Sequence, residues 1–431
     1  MTYSSAIEYL YGLQKHGIKL GLETMRTLLS RQGNPERRFR SLHIGGTNGK
    51  GSTAAMTAAM LQAAGYRVGL YTSPHLVDFR ERIRVNRIMV AESQVAELTE
   101  RLQASVPSGL TPTFFELTTV MAFLHFAESG VEVAILEVGL GGRFDATNVV
   151  EPEACAIITI GLDHQEYLGT TEESISFEKA GIIKPGVPVV VGRIDGPAWD
   201  VIRKTAADRG APLTRLGVDF HADGTGPEAF SYRGRFRQLD GLTCTLAGRH
   251  QLDNAACAVA LLEAAERRGI SVNDEAVRRG LESVLWEGRL EVVERGPVLL
   301  LDGAHNPAAA HVLAEYLTEW CASRPESRLI LVLGMMRDKD HARFVEPFYR
   351  LVSEVVLTQV DMARSASVQE LRETVGSRFS QCHIAPSPTD ALALAKARAT
   401  AQDLICVTGS LMLVGEVKAL VRGCGLSPLR G

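Results

Sequence analysis

The 431-residue chain lacks the patterns that mark several broad classes of protein. Its seven cysteines (Cys155, Cys244, Cys257, Cys321, Cys382, Cys406, Cys424) are scattered, with neither Cys-x-x-Cys nor zinc-type spacing, which excludes a disulfide scaffold or a cysteine metal knuckle. No apolar run approaches the roughly 18 residues of a membrane-crossing helix. The N-terminal stretch with Ile7, Leu10, Tyr11 and Leu13 reads as amphipathic and has no cleavable signal pattern. Neither sign of charge dominates: a net charge of −4 and a pI near 6.3 leave no basic field for nucleic acid. Internal repeats and low-complexity segments are missing as well. These absences predict a cytoplasmic chain with no membrane and no nucleic-acid partner.

What is present suits sizeable cores, since 45% of residues are hydrophobic and 22% charged. The length predicts two domains. Strand patterns fall at Val68–Tyr71, Val131–Leu136, Ala156–Ile160, Val187–Val191, Val298–Leu301, Leu329–Leu333, Glu354–Leu357 and Leu404–Val407. Helical patterns alternate with them at Glu92–Ser105, Phe115–Glu128, Ser174–Ile183, Asn254–Arg268, Ala308–Trp320, Val368–Ser377 and Thr389–Ala401. This alternation predicts α/β architecture with doubly wound, mostly parallel sheets. Leu213–Leu246 is rich in glycine and polar residues and reads as a small β excursion. The pattern restarts after Trp286-Glu287-Gly288-Arg289, so the domains are expected at 1–292 and 293–431, the second one smaller.

Gly45-Gly46-Thr47-Asn48-Gly49-Lys50-Gly51-Ser52 lies between a strand end, Arg40–Ile44, and a helical pattern, Thr53–Ala64. A glycine loop there aims backbone N–H groups and a positive helix terminus at one point, which suits phosphate. Lys50 adds a charge for the outer phosphates and Ser52 a hydroxyl for Mg²⁺. The loop departs from the common nucleotide pattern, because Gly51 stands where a hydroxyl residue is usual. A plain glycine turn is the alternative. Glu137 ends an apolar strand, as a magnesium-holding acid would, or as a helix cap would. His164, in Gly161-Leu-Asp-His164, suits a metal ligand, a base or a loop hydrogen bond. Ser73 precedes Pro74 in what spacing alone reads as an ordinary turn. Asp302-Gly303-Ala304-His305-Asn306-Pro307 opens a helix; Asp302 or Asn306 suits a cap, and the His-Asn pair suits chemistry.

In order along the chain stand Gly46–Ser52, Thr72-Ser-Pro-His75, Glu137–Asn148, Asp163-His164, Glu178-Lys-Ala-Gly181, Asp302–Pro307, Gly334–Asp340 and Gly409-Ser-Leu411. Together they resemble the folylpolyglutamate synthase/dihydrofolate synthase branch of the Mur ligase superfamily. The resemblance implies a P-loop-type N-terminal domain that binds ATP and a C-terminal Rossmann-like glutamate-ligase domain. It implies that ATP and Mg²⁺ join L-glutamate to a pterin or folate carboxylate through an acyl phosphate. By the same resemblance, Thr47, Asn48, Gly49, Lys50, Gly51, Ser52, Asn254, Arg289 and Asp302 bind ATP. Ser73 and Glu137 match one Mg²⁺ site and His164 a second. Lys179 aligns with a lysine that is carbamylated in many members and then bridges metals, although charge pattern alone reads it as a solvated helix lysine. His305 falls near the acyl phosphate or the incoming glutamate.

Lys19, Leu20, Thr113, Phe114, Phe115, Glu116, Phe144, Asp145 and Ala146 match places that hold dihydropteroate, although Lys19 stands where some relatives carry Asp. Phe115 also suits the core at a helix start. Arg364, Ser410 and Lys339 are candidates for the glutamate carboxylates. The expected activity is combined dihydrofolate synthase and folylpolyglutamate synthase, in a monomer whose two domains form the cleft. Glutamate extension alone, or a cell-wall Mur ligase, are the alternatives.

Overall fold

The computed structural model describes residues 1–427 except Ile18, Leu20 and the side chain of His16. The first sheet has eight strands: β1 (Arg40–Gly45), β2 (Val68–Tyr71), β3 (Ile83–Val85), β4 (Ile88–Met89), β5 (Val133–Glu137), β6 (Ala154–Ile157), β7 (Val189–Val191) and β8 (Leu213–Arg215). Their order is β4-β3-β2-β5-β1-β6-β7-β8, parallel throughout except at the β2–β3 and β3–β4 pairings. β2, β5, β6 and β7 are mainly apolar and, with the more polar β1, almost wholly buried, as strands covered on both faces must be.

An antiparallel three-stranded sheet follows: β9 (His221–Gly226), β10 (Ala229–Arg233) and β11 (Gln238–Leu242). It is the expected β excursion. The last sheet contains β12 (Glu291–Arg295), β13 (Val298–Leu301), β14 (Leu329–Leu333), β15 (Glu354–Leu357), β16 (Cys382–Ile384) and β17 (Leu404–Thr408). Its order is β12-β13-β17-β14-β15-β16, antiparallel only at β12–β13. The protein is therefore an α/β molecule with a large, mainly parallel sheet and a separate C-terminal α/β layer. Among the described residues, no helix is long and apolar enough to cross a membrane.

Several expected bounds move by a few residues, and three of these shifts bear on the site. The strand predicted at Ala156–Ile160 ends at Ile157, because Thr159 bonds to the glycine loop: its carbonyl accepts from Thr47 N (2.8 Å) and its hydroxyl from Asn48 N (2.8 Å). The helix predicted from Asn254 begins at His250, after Gly248 turns the chain with φ +96°, so Asn254 lies inside the helix. The helix predicted from Thr53 begins at Lys50, directly on the glycine loop.

That helix, Lys50–Ala63, is buried for most of its length between the sheet and helix Asp274–Ser283. The two helices approach so closely that a Cβ at Gly280 would stand 2.4 Å from Met60 Cα. Gly280→Ala is therefore expected to cost about 1–3 kcal/mol, read as a lower urea midpoint. Gly12→Ala, with open space around it, should leave the midpoint essentially unchanged.

Candidate active site

In open α/β sheets ligands gather at the carboxyl ends of strands where the order reverses. Here β1 is that point, with β5 and β2 on one side and β6 on the other. The segments leaving these four strands bring together most of the residues singled out from sequence.

After β1 the chain turns through Gly46 (φ +141°) and Gly49 (φ +82°). A Cβ at Gly49 would lie 2.5 Å from Asn254 Oδ1 and 2.9 Å from Ile158 Cγ2, so the turn requires glycine. Lys50 begins the helix and its ammonium donates to Thr47 O (3.1 Å). The free N–H groups of that first helical turn open toward a cavity of about 470 Å³. Gly51, the misfit residue, has a physical explanation: a Cβ there would meet the Trp286 ring at 2.8 Å. Asn254 donates to Gln251 Oε1 (2.9 Å), and Gln251 reaches Ser52 Oγ (3.4 Å). Arg289 and Asp302 line the same cavity from the other side. Asp302 is held by Leu290 N and Ala304 N, each at 2.9 Å.

Ser73, Glu137, His164 and Lys179 all face this cavity. Ser73 N donates to Glu137 Oε2 (3.1 Å) across neighbouring strand ends. Burial pushes the Glu137 carboxyl up from its ordinary range, and Lys50 pulls it back. Desolvation by the surrounding protein lowers the His164 imidazole to about 4, leaving it neutral near pH 7, although the residue as a whole is exposed. Lys179 corrects the charge-pattern reading. It is only 5% exposed and donates to Gly46 O (3.0 Å). Burial, then the Lys50 charge, lower its ammonium to about 7. It reaches this position because its helix, Glu172–Ala180, packs on the loop after β5. A Cβ at Gly142 would stand 2.8 Å from Glu178 O, and one at Gly181 would stand 2.4 Å from Arg143 Cα.

Among the described residues no group of three His, Cys, Asp or Glu side chains is arranged to hold a metal. A hydroxyl, one carboxylate and a neutral imidazole suit a hard divalent cation that takes its remaining ligands from water or substrate oxygens.

A residue that sequence reasoning left without a role joins the two halves. Asp163 accepts from Lys339 Nζ (2.6 Å) and Asn306 Nδ2 (3.1 Å), and His305 Nε2 lies 3.5 Å away. Asn306 also donates to Asn48 Oδ1 (3.0 Å) while capping its own helix at Ala309 N (2.9 Å). The expected cap is thus real, and it grips the glycine loop too. Only the Asp163-His164 pairing at a strand end hinted at this.

A second cavity, of about 580 Å³, adjoins the first. Ser73, Gly139, Leu140, His164, His305 and Leu411 line both, forming a common throat. Phe115 lies against Gly139, where a Cβ would be 2.5 Å from its ring, and turns another face to the cavity. Phe144 is covered by Arg143, 4.2 Å above its ring. Thr113 and Glu116 line the cavity but pair as a helix capping box. Phe114 packs on Tyr11 (4.8 Å). Asp145 is buried, accepting from Thr147 N and Leu140 N (both 2.9 Å), with Ala146 buried beside it. Lys19 sits at the rim on Thr111 Oγ1 (2.6 Å); Leu20 lies outside the described residues. Arg364 and Ser410 line the far wall, and the Ser410 hydroxyl also caps the following helix by accepting from Met412 N (3.0 Å).

This two-layer architecture with a glycine loop at the join defines a class. Residues 44–262 match the Mur ligase middle domain and residues 288–411 the Mur ligase glutamate ligase domain. The dihydrofolate synthase/folylpolyglutamate synthase of Bacillus subtilis is 36% identical, over 97% of this chain and 98% of that protein. A solved structure of Escherichia coli FolC in complex with DHPP and ADP is 33% identical, covers 98% of both chains and has a TM-score of 0.90. The Yersinia pestis bifunctional folylpolyglutamate synthase/dihydrofolate synthase, complexed with AMPPNP and Mn ion, is 34% identical, with 98% of both chains covered and a TM-score of 0.88. The chain belongs to the dihydrofolate synthase/folylpolyglutamate synthase family of Mur ligases.

Burial pushes the Asp163 carboxyl up, but the hydrogen bond and charge of His305, then the charges of His164 and Lys339, hold it far below the usual carboxylate range. A depressed folded value stabilises above the unfolded value, near 3.8, and the contribution fades as pH falls below it. Asp163→Asn should therefore lower the urea midpoint clearly at about pH 7 and by a somewhat smaller amount at about pH 3, where only the first part of the contribution has faded. Equal midpoints at neutral pH would contradict the bridge.

Proposed function

We propose that this protein is an ATP-dependent ligase that joins L-glutamate both to dihydropteroate and to reduced folates. The observation that carries the reading is the shared throat: a phosphate-type loop opens on one side and an aromatic-walled cavity on the other. A carboxylate is a poor electrophile until phosphate becomes its leaving group. In the first cavity Thr47, Asn48, Gly49, Lys50, Gly51 and Ser52 would hold the ATP phosphates, with Asn254, Arg289 and Asp302 on the rest of the nucleotide. An acid held in the second cavity, against Phe115, Phe144 and Ala146, would reach the throat with its carboxylate. Its oxygen attacks the γ-phosphorus, the bond to the β-phosphate oxygen breaks, and ADP leaves. The glutamate amine then attacks the acyl carbon, loses a proton, and expels phosphate.

The protein contributes position and charge more than covalent chemistry. Lys50 neutralises the transferring phosphate, and Arg364, Lys339 and Ser410 face the space for glutamate. Ser73, Glu137 and His164 would hold Mg²⁺ in two sites, which would supply further neutralisation of the phosphate oxygens. His305, its Nδ1 fixed on Gly303 O (2.8 Å), stands at the throat for the incoming amine. In this reading the ATP-binding part spans 1–292 and the glutamate-ligase part 293–431; the start of β12 at Glu291, close to that division, supports it. The enzyme acts as a cytoplasmic monomer, because the two parts already enclose the cleft.

A panel of dihydropteroate, tetrahydrofolate and a UDP-muramyl substrate, each with ATP, Mg²⁺ and glutamate, tests the assignment by ADP release and product mass. Products are expected from the first two acids only. Product from tetrahydrofolate alone would restrict the activity to glutamate extension. Lys50→Ala should lower kcat by on the order of 10²-fold or more.

Lys179 is the natural site of a carbamate, since its unprotonated amine can add carbon dioxide and become an anionic ligand. Protonated amine does not react, so a carbon-13 carbamate signal from labelled bicarbonate should rise between about pH 6 and about pH 8. No signal in wild type, or one retained in Lys179→Gln, would remove the carbamate from the account.

A further inference from the structure

Arg82 has a place that none of the roles above explains. It ends a short turn, Phe79–Arg82, and is only 5% exposed. Its Nε donates to His75 Nδ1 (2.8 Å), and Tyr11 Oη lies 3.2 Å from the other nitrogen of that ring. Its guanidinium lies 5.2 Å from the centre of the Phe114 ring. Among the described residues it has no ion pair, and its terminal amino groups have no hydrogen bond to the protein, although both belong to a side chain lining the second cavity. A buried cation with no acid in direct contact is costly unless a ligand supplies the anion.

The support beneath it is rigid. Glu81 accepts from Leu76 N (2.8 Å), Val77 N (3.0 Å) and Asp78 N (2.9 Å), tying down the segment between His75 and Arg82. Arg82 O in turn accepts from Thr72 N (3.0 Å), beside Ser73 at the throat. A planar fork of donors, fixed at Nε and stacked on an aromatic ring, matches a carboxylate in the plane of the fork.

We propose that Arg82 is the carboxylate clamp of the second cavity: its two terminal amino groups grip the reacting carboxylate of the pteroate-type acid and present it to the throat. This assignment rests on the ligase reading above. Lys50 and Ser52 serve the nucleotide from the first cavity, so Arg82 acts on the acid and not on ATP.

The test compares binding of dihydropteroate and its carboxamide to the full-length protein, in wild type, Arg82→Gln and Arg82→Lys. Wild type is expected to prefer the acid by about tenfold or more. Arg82→Gln should abolish that preference while leaving carboxamide binding within about twofold, and Arg82→Lys should keep only part of it because it lacks the fork. In turnover, KM for dihydropteroate should rise in Arg82→Gln while KM for ATP stays within about twofold. A preference for the acid that survives in Arg82→Gln overturns the clamp. So does equal weakening of acid and carboxamide, which would mark Arg82 as structural only. Wild type that binds neither compound would overturn the ligase reading along with the clamp.

Discussion

The Asp163 carboxylate is the contact on which the geometry of the site turns. It sits at the carboxyl end of the first sheet and is met by Lys339, Asn306 and His305 from the second half of the chain. Both Asp163 and Lys339 are largely withdrawn from water, with side chains 9% and 11% exposed. Removing either charge would leave the other buried and uncompensated, which is far more costly than losing a surface pair. Through Asn306 the same contact reaches Asn48, so the closure of the two halves and the shape of the glycine loop are set together.

Around this join, each glycine-rich segment has a packing reason that also serves the site. Gly51 makes room for Trp286, Gly139 for Phe115, and Gly142 for the helix that carries Lys179. One cavity holds the cations Lys50 and Arg289 with Glu137 among them, and the Lys179 amine beside them. An excess of fixed positive charge in a partly enclosed space is what a reaction between a polyphosphate and a carboxylate requires. The acids that could oppose it are already engaged: Asp302 by backbone N–H groups and Asp163 by the bridge.

Much of this was legible in the sequence. Buried parallel strands are continuous apolar runs, so Val68–Tyr71, Val298–Leu301, Leu329–Leu333 and Glu354–Leu357 have the boundaries that pattern predicts. The edge strands β4 and β12 and the three-residue β3 were not legible, because they are too short, too polar or too exposed to carry a periodic signal. Charge pattern alone misreads Lys179 because a helix with Glu172, Glu173 and Glu178 looks solvated, while the face that packs on Gly142 is hidden from any charge count. Asp163 and Lys339 are 176 residues apart, and no local pattern joins them. Arg82 and His75 are seven apart, yet only the fold reveals that the histidine holds the arginine over a ring.

The central claim is that the two cavities meet where a carboxylate takes up phosphate. The most direct measurement supplies dihydropteroate labelled with heavy oxygen in its carboxylate and follows the label through a complete turnover with ATP and glutamate. An acyl phosphate at the throat requires one labelled oxygen to leave with each released phosphate. Phosphate released without the label, alongside amide product, would contradict the account.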